Sequence, residues 1–270
     1  SDWVSESRRE ISKNGIDGII TAIQEFYAGI PRRVYRVLRR FHWLYPDERE
    51  LDVGKYSIRV RQETIGEFDH IHKAFRNEKP MYRDLLSELR PDDVLWDVGG
   101  NIGFYSCFAA QTSAETVVFE PLPQNADTIR HNLETNGIEG VTIDSRALFS
   151  EQKSKTLFLD PRECAGGGRG SLLEDWTEGS TQLDVDCVPG DSLVSDGEHP
   201  SPTILKIDVE GAEYHVLEGL SHALEESVRI VYLEPHGIND EEVYDLLENH
   251  GFKIRIAPND TTAGVLKAVR

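Results

Sequence analysis

The stretch VLWDVGGNIGFYS, residues 94–106, decides the fold of this chain. Residues 94–98 are a short apolar run that predicts a buried strand, and residues 102–112 predict a helix. Between them, Gly99 and Gly103 allow positive φ and a close backbone approach to a ligand at the helix start. A strand, a glycine-rich turn and a helix in this order are typical of a loop that cradles a nucleotide. A tight structural turn is the alternative interpretation.

Strand and helix patterns alternate through the rest of the chain, which predicts a parallel sheet with right-handed crossovers. The last two strands, at 252–256 and 264–269, are predicted to close the chain as a hairpin and to make the sheet mixed. We therefore predict an α/β fold with a Rossmann-like, doubly wound, mostly parallel seven-stranded sheet and one antiparallel terminal strand. The other predicted elements are strands at 116–120, 141–144, 203–208 and 229–234, and helices at 124–135, 211–219 and 239–249.

The chain before this sheet divides into two predicted parts. Residues 47–90 lead into the core, with an alternating strand at 56–61 and a helix at 81–89. Residues 1–46 are predicted to be a helical, Arg-rich extension, because they carry eight Lys and Arg against five Asp and Glu. The sheet domain is predicted to cover residues 91–270.

Residues 31–46, PRRVYRVLRRFHWLYP, predict a helix that Pro31 opens. Val34, Leu38 and Phe41 share one face of it, and five arginines surround that face. This arrangement is typical of a helix that lies on anionic lipid or on an acidic partner, which predicts a peripheral membrane contact. The alternative is a helix that packs on its own acidic domain.

The composition excludes some classes of function. The chain has 48 acidic and 29 basic residues, and its formal net charge of −19 argues against binding to nucleic acid. Dense carboxylates suggest a salt-loving organism, since a high-salt cytoplasm screens their repulsion, and an ordinary acidic protein is the alternative. No apolar run reaches the roughly 18 residues of a membrane helix, and the first residues do not resemble a secretory signal. We therefore expect a cytoplasmic protein.

The spacing of the glycines argues against the usual dinucleotide loop, which needs glycines at relative positions 1, 3 and 6. Starting at Gly99 places Asn101 and Phe104 at the last two positions. The pattern that fits is acidic-x-Gly-x-Asn-x-Gly, which begins at Asp97 and ends at Gly103. Asn101 suits the middle position because asparagine tolerates left-handed backbone geometry better than most residues.

Glu120 ends the next predicted strand, 21 residues after Gly99. At about this distance an acidic side chain can accept hydrogen bonds from both ribose hydroxyls. A carboxylate that stabilises the start of the following helix is the alternative. The three cysteines have no close spacing, so the sequence predicts neither a disulfide framework nor a metal site.

Three segments resemble the FkbM-type S-adenosylmethionine-dependent methyltransferases. They are DVGGNIGFYS at 97–106, FEPLPQNADTIRHNLETNG at 119–137 and LKIDVEGAEYHVLEGL at 205–220. The resemblance covers residues 78–236 and implies that residues 91–270 are a domain that binds S-adenosylmethionine, without a metal. It also implies that GGGRGSL, residues 166–172, corresponds to the glycine-serine loop of the family.

The resemblance implies a set of cofactor-binding residues: Asp97, Gly99, Asn101, Gly103, Glu120, Pro121, Ala147, Leu148 and Asp208. The first four would surround the methionine part, and Glu120 would hold the ribose beside Pro121. Ala147 and Leu148 would line the adenine, and Asp208 would lie near the transferable methyl.

Methylation of an alcohol also requires the loss of a proton, so a general base helps. The catalytic candidates are His236, Asp208 and Glu210, and Glu213 is a further acidic candidate. His236 has the most suitable ordinary pKa, although a histidine that only caps a loop is equally consistent with the sequence. Glu213 is alternatively a carboxylate at a helix start. Lys206 is either a partner of these carboxylates or a snorkelling residue.

Residues 161–180 have the composition and length of an active-site lid, which we expect to close on the substrate. Arg169, Ser171 and Glu213 form the predicted substrate-contacting set. Arg169 either meets a carboxylate or phosphate of the acceptor or is a solvated loop charge.

These observations and the resemblance together predict an S-adenosylmethionine-dependent O-methyltransferase. Its acceptor is a hydroxyl of a small molecule, a sugar or a lipid-linked saccharide. Two alternatives remain at this point: an NAD-dependent oxidoreductase with an atypical loop, and a non-catalytic relative that binds the cofactor.

Overall fold

The computed structural model describes residues 47–64, 66–67, 70–71, 75–159, 170–172, 181–258 and 264–270. The predicted extension at 1–46, its lipid-facing helix at 31–46, Arg169 and most of the expected lid lie outside these residues. Within the described residues, no helix has both the length and the apolar character needed to cross a membrane.

The described residues form strands and helices in the following order along the chain. The strands are β1 Glu48–Val53, β2 Tyr56–Arg61, β3 Val94–Val98, β4 Glu115–Phe119, β5 Val141–Asp144, β6 Ala147–Leu148, β7 Lys153–Leu159, β8 Gly170–Ser171, β9 Thr181–Val188, β10 Ile204–Ile207, β11 Ile230–Leu233, β12 Lys253–Ile256 and β13 Leu266–Val269. The helices are α1 Phe75–Glu88, α2 Phe104–Ala109, α3 Pro123–Thr135, α4 Gly190–Ser195, α5 Glu213–Glu218, α6 Ser221–Glu226 and α7 Asp240–Asn249.

The main sheet has seven strands in the order β12-β13-β11-β10-β3-β4-β5. Neighbouring strands are parallel except at β13, which runs antiparallel to both β11 and β12. This arrangement confirms the predicted mixed, doubly wound α/β sheet and its terminal hairpin. The central strands β10 and β11 are buried along their whole length, as expected for a parallel sheet covered on both faces.

The region before the sheet differs from the prediction in two respects. Strand β1 pairs antiparallel with β2 around Gly54, although its sequence ERELDV carries only a weak strand pattern. Helix α1 begins at Phe75 rather than residue 81 and contains Pro80. Phe75, Met81 and Leu85 are buried on its inner face, and this packing outweighs the cost of a proline inside a helix.

A second, four-stranded sheet in the order β6-β9-β7-β8 was not predicted. The chain builds it between β5 and β10, where the sequence analysis expected only a loop and a lid. Ser171, one of the predicted substrate-contacting residues, lies in β8 and is buried. The sheet encloses a small apolar cluster of its own, which includes Leu157, Val185 and Cys187.

Lys267 of β13 joins the main sheet to α1. Its side chain is fully buried, and its ammonium lies 2.5 Å from Asp84 Oδ2 and 2.7 Å from Glu88 Oε1. The hydroxyl of Tyr232, on β11, also donates to Asp84 Oδ2, at 2.6 Å. A buried ammonium of this kind is tolerated only because it is paired with carboxylates.

We expect Lys267→Ala to lower the free energy of unfolding by about 3 kcal/mol, because it leaves two carboxylates without their cation and opens a cavity. Lys253→Ala is the matched control, since Lys253 is exposed on the neighbouring strand β12, and its effect should stay within about 0.5 kcal/mol. Urea unfolding at one fixed salt concentration measures both values. Equal effects of the two substitutions would show that this buried ion pair does not hold α1 on the sheet.

Candidate functional site

The turn after β3 forms the floor of the site. Gly99, Asn101 and Gly103 all have left-handed backbone geometry, with φ of 77°, 51° and 80°, which confirms the conformation predicted for Asn101. The amides of Gly99 and Gly100 donate to the carbonyl of Phe119 at 3.0 and 3.1 Å. A Cβ atom added to Gly99 would lie 1.9 Å from the carbonyl oxygen of Asp208, so the turn presses directly on the end of β10.

Lys206 holds this region together. Its ammonium donates to the carbonyl of Gly99 at 3.0 Å and lies 3.5 Å from Asp97 Oδ1 and 3.6 Å from Asp208 Oδ2. Burial acts to lower the pKa of Lys206, but the charges of Asp97 and Asp208 outweigh it and raise the pKa above its ordinary value. Of the two interpretations of Lys206, the structure supports the partner of carboxylates.

Glu120 lies at the end of β4 and is almost fully buried. Its Oε2 accepts a hydrogen bond from the amide of Asn101 at 2.7 Å, and its Oε1 accepts one from the amide of Leu122 at 2.9 Å. Burial raises the pKa of Glu120 to about 7, despite these hydrogen bonds. The carboxylate therefore ties the turn after β3 to the start of α3.

A cleft of about 660 Å³, including its open mouth, lies beyond the carboxyl ends of β3, β4 and β10. Seven of the nine predicted cofactor-binding residues line it: Gly99, Asn101, Glu120, Pro121, Ala147, Leu148 and Asp208. The other two lie behind this lining. Asp97 is fully buried and accepts from the Ser106 hydroxyl at 2.6 Å, and Gly103 faces Ile129.

The second sheet completes the wall of the cleft. Leu157 of β7 and Leu172, directly after β8, face the cleft together with Leu148. The sequence analysis named neither leucine, because it expected a lid where the structure has strands. The signal that could have found β7 is its alternating sequence KSKTLFL.

Four of the predicted catalytic and acidic residues meet at one edge of the cleft. His236 Nδ1 lies 2.8 Å from Glu213 Oε1, and its Nε2 lies 3.6 Å from Glu210 Oε2 and 3.8 Å from Asp208 Oδ1. Glu213 is nearly inaccessible to solvent, and its Oε1 also accepts from the amide of Gly211 at 3.0 Å. We call Asp208, Glu210, Glu213 and His236 the acidic–histidine cluster.

The carboxylates of the acidic–histidine cluster stabilise the protonated form of His236. Burial acts to lower the pKa of His236, but the hydrogen bond to Glu213 and the charges of Asp208 and Glu210 outweigh it and raise the pKa to about 9. The imidazole is thus already protonated at neutral pH. A group in this state does not take the proton of a substrate, which weighs against His236 as a general base in the free protein.

Further titratable residues that the sequence analysis did not name surround Asp208. Burial, with the charge of Asp208, raises the pKa of Glu78 and raises that of Glu234 to about 7. Burial also lowers the pKa of His70 to about 4. Glu234 directly follows β11, two residues before His236, a position that strand-end reasoning could have found. Glu78 lies within α1, where no motif marks it.

The fold and the site together define a class of protein. The cleft lies at the carboxyl ends of the central parallel strands, with a glycine-rich turn after β3 and an acidic side chain after β4, as in α/β proteins that bind a nucleoside-containing cofactor. The comparisons with known proteins narrow this class. A family model described as the methyltransferase FkbM domain matches residues 97–254.

Several relatives and solved structures are similar to this chain, among them two curated methyltransferases and one crystal structure. Hexuronic acid methyltransferase AglP of Haloferax volcanii is 36% identical over 197 residues, which cover 73% of this chain and 78% of AglP. 31-O-demethyl-FK506 methyltransferase FkbM of Streptomyces tacrolimicus is 31% identical over 207 residues, with coverages of 66% and 79%. The crystal structure of methyltransferase FkbM from Methylobacillus flagellatus KT has 15% identity and a TM-score of 0.49, and the match covers 77% of this chain and 55% of that one. The chain belongs to the FkbM methyltransferase family, as its three motifs predicted.

We expect Gly99→Ala to destabilise the protein by about 3 kcal/mol or more. The added methyl group would both clash with the Asp208 carbonyl and occupy a left-handed backbone position. Gly54→Ala is the matched control, because Gly54 has a φ of 62° but none of the described residues has an atom within 4 Å of the added Cβ. It should lose only the roughly 1–2 kcal/mol of the left-handed backbone. Urea unfolding of both variants separates the cost of the clash from the cost of the left-handed backbone. Equal decreases in the free energy of unfolding would mean that the turn does not press on β10.

Proposed function

We propose that this protein transfers the methyl group of S-adenosylmethionine to a hydroxyl group of a saccharide. The observation that carries the proposal is the cleft itself, which brings Glu120, the glycine-rich turn and the acidic–histidine cluster to one edge of the sheet. Membership of a methyltransferase family supports the reaction. The name of the relative with 36% identity, a hexuronic acid methyltransferase, supports a sugar acid as acceptor.

The residues of the cleft fit the three parts of S-adenosylmethionine. Leu148, Leu157 and Leu172 would pack on the adenine, and Glu120 would accept hydrogen bonds from the ribose. The carboxylate has room for at least one such bond, since its two oxygens offer about four acceptor positions, of which two are used by backbone amides and one by the side chain of Asn125. Asn101 Oδ1 is buried and has no hydrogen-bond partner within the described part of the chain, so it would suit the amino group of the methionine part.

S-Adenosylmethionine supplies an electrophilic methyl carbon on a positively charged sulfur. The acceptor oxygen forms a bond to this carbon while the carbon–sulfur bond breaks and its electron pair stays on sulfur. The hydroxyl proton leaves, and the positive charge on sulfur disappears. The chain therefore has to align the acceptor with the methyl group and promote the loss of one proton. Asp208 lines the cleft beside Gly99, which supports a role for this carboxylate in aligning the acceptor.

Calorimetric titration with S-adenosylmethionine, S-adenosylhomocysteine and NAD tests the choice of cofactor. We expect micromolar binding of the first two, roughly −8 kcal/mol, and at least a tenfold loss in Glu120→Ala. Glu115→Ala is the matched control, because Glu115 is exposed at the other end of β4. Binding of NAD alone would favour an oxidoreductase, and no binding at all would overturn the proposal.

The same samples test the acceptor. Incubation with glucuronic acid and its glycosides, followed by mass spectrometry, should show one added methyl ether. Methylation of neutral sugars alone would contradict the choice of a sugar acid. Binding of S-adenosylmethionine with no transfer to any acceptor offered would favour a non-catalytic relative.

We expect the affinity for S-adenosylmethionine to fall below pH 7. The pKa of Glu120 is about 7, so the carboxylate that accepts the ribose hydroxyls becomes protonated as the pH falls through this value. Each pH unit below 7 should then raise Kd by up to about tenfold, since binding requires the loss of one proton. Titrations between pH 5 and 8 measure this slope, and Glu120→Gln should remove it. An unchanged Kd across this range would exclude Glu120 as the ribose acceptor.

A further inference from the structure

We propose that Asp208, Glu210 and His236 bind one divalent cation at the mouth of the cleft. We propose also that this cation holds the acceptor hydroxyl, a role that rests on the proposed function. The spacing of these residues in the sequence indicates no metal site, because they follow two different strands. The fold brings them together, since β10 and β11 are parallel neighbours and end at the same edge of the sheet.

The geometry of the three side chains suits a cation. One ligand atom from each lies within 4.8 Å of the others, and His236 Nε2 is 3.6 and 3.8 Å from the two carboxylate oxygens. Ligand atoms about 2.0–2.3 Å from a common ion are separated by distances of this size. Asp208 and Glu210 also line the cleft, so the ion would lie beside the bound cofactor.

His236 is oriented as metal-binding histidines are. In most such sites the second ring nitrogen donates a hydrogen bond to a carboxylate, which fixes the ring and directs the other nitrogen at the metal. Here Nδ1 is bonded to Glu213 Oε1 at 2.8 Å, and Nε2 faces Asp208 and Glu210. Glu213 is thus a positioning residue.

A further observation points to a ligand at this position. Glu213 is only 1% exposed, and its Oε2 has no hydrogen-bond partner among the residues that the structure describes. Three carboxylates share the single imidazole of His236, so a divalent ion that replaces the proton on Nε2 would offset their negative charge more fully.

Two carboxylates and one imidazole suit a divalent ion such as Mn²⁺, which accepts both oxygen and nitrogen ligands. Three protein ligands leave further coordination positions for the acceptor. A sugar acid would place a hydroxyl and a carboxylate oxygen there and displace bound water. An ion held there would lower the pKa of the acceptor hydroxyl, and the proton would pass to water. The oxygen would then form its bond to the methyl carbon, and the electron pair of the broken carbon–sulfur bond would stay on sulfur.

The test is calorimetric titration of the chelator-treated full chain with Mn²⁺ at one fixed pH and salt concentration. We expect one ion per chain with a Kd in the micromolar range, weakened at least tenfold in Asp208→Asn, Glu210→Gln and His236→Gln. Glu213→Gln should weaken binding about tenfold or more, as substitutions of such orienting carboxylates do.

The matched control is a second group of possible ligands, His222, Glu225 and Glu226, which is exposed on α6. Glu225→Gln should leave Mn²⁺ binding unchanged. Equal weakening in this control would mean diffuse attraction to an acidic surface and would overturn the proposal, as would the absence of binding. Circular dichroism of each variant checks that it folds, and Glu210→Gln is the most conservative change at the partly exposed side of the site.

A chelator separates this proposal from the proposed function. The expected result is cofactor binding without added metal, and methyl transfer that EDTA abolishes and Mn²⁺ restores. Transfer at full rate in EDTA would overturn the role of the cation while the methyltransferase proposal stands. Site-specific Mn²⁺ binding without any cofactor binding would instead overturn the proposed function and leave the metal site in place.

Discussion

The interactions of Lys206 are the constraint on which the site depends. An ammonium group in the middle of a parallel strand is buried at a high cost in free energy, which only nearby negative groups offset. Asp97, Asp208 and the carbonyl of Gly99 supply them, from the two central strands and the turn between β3 and α2. The shape of the cleft floor is therefore set by the charge balance of one lysine before any ligand is bound.

The side of the cleft near His236 is strongly acidic. Lys206 is shared between Asp97 and Asp208, and His236 is bonded to Glu213, while Glu210 adds further negative charge. The two halves of the cleft are thus chemically different. One side is apolar with a single buried carboxylate, Glu120, and the other concentrates carboxylates. The proposed cofactor, with its apolar base and its cationic sulfur, matches this division.

The sequence predicted those features of the molecule that depend on residue type and on neighbours along the chain. Short apolar runs predicted the strands of the main sheet, and the residue type of Asn101 predicted its left-handed backbone. The second sheet was missed although β7 and β9 alternate in sequence, because few of their residues are buried and the segment carries no long apolar run. The pKa shifts of Glu78 and His236 could not be predicted from the sequence either, because they depend on side chains that only the tertiary fold brings near. Burial and proximity across strands leave no trace in the spacing of residues.

The chain leaves the main sheet after Asp144 and returns to it at Ile204. All four strands of the second sheet lie in the segment between these two residues. This segment, residues 145–203, contributes Leu148, Leu157 and Leu172 to the lining of the cleft. It contributes no strand to the seven-stranded sheet. Leu148 and Val188 belong to the same apolar core cluster as Trp96 and Val98 of β3, so this segment is packed on the main sheet although its strands pair only with one another. The floor and the apolar wall of the cleft therefore come from two separately hydrogen-bonded sheets that share one core, and a substitution at this shared core affects the shape of the cleft and the stability of the fold together.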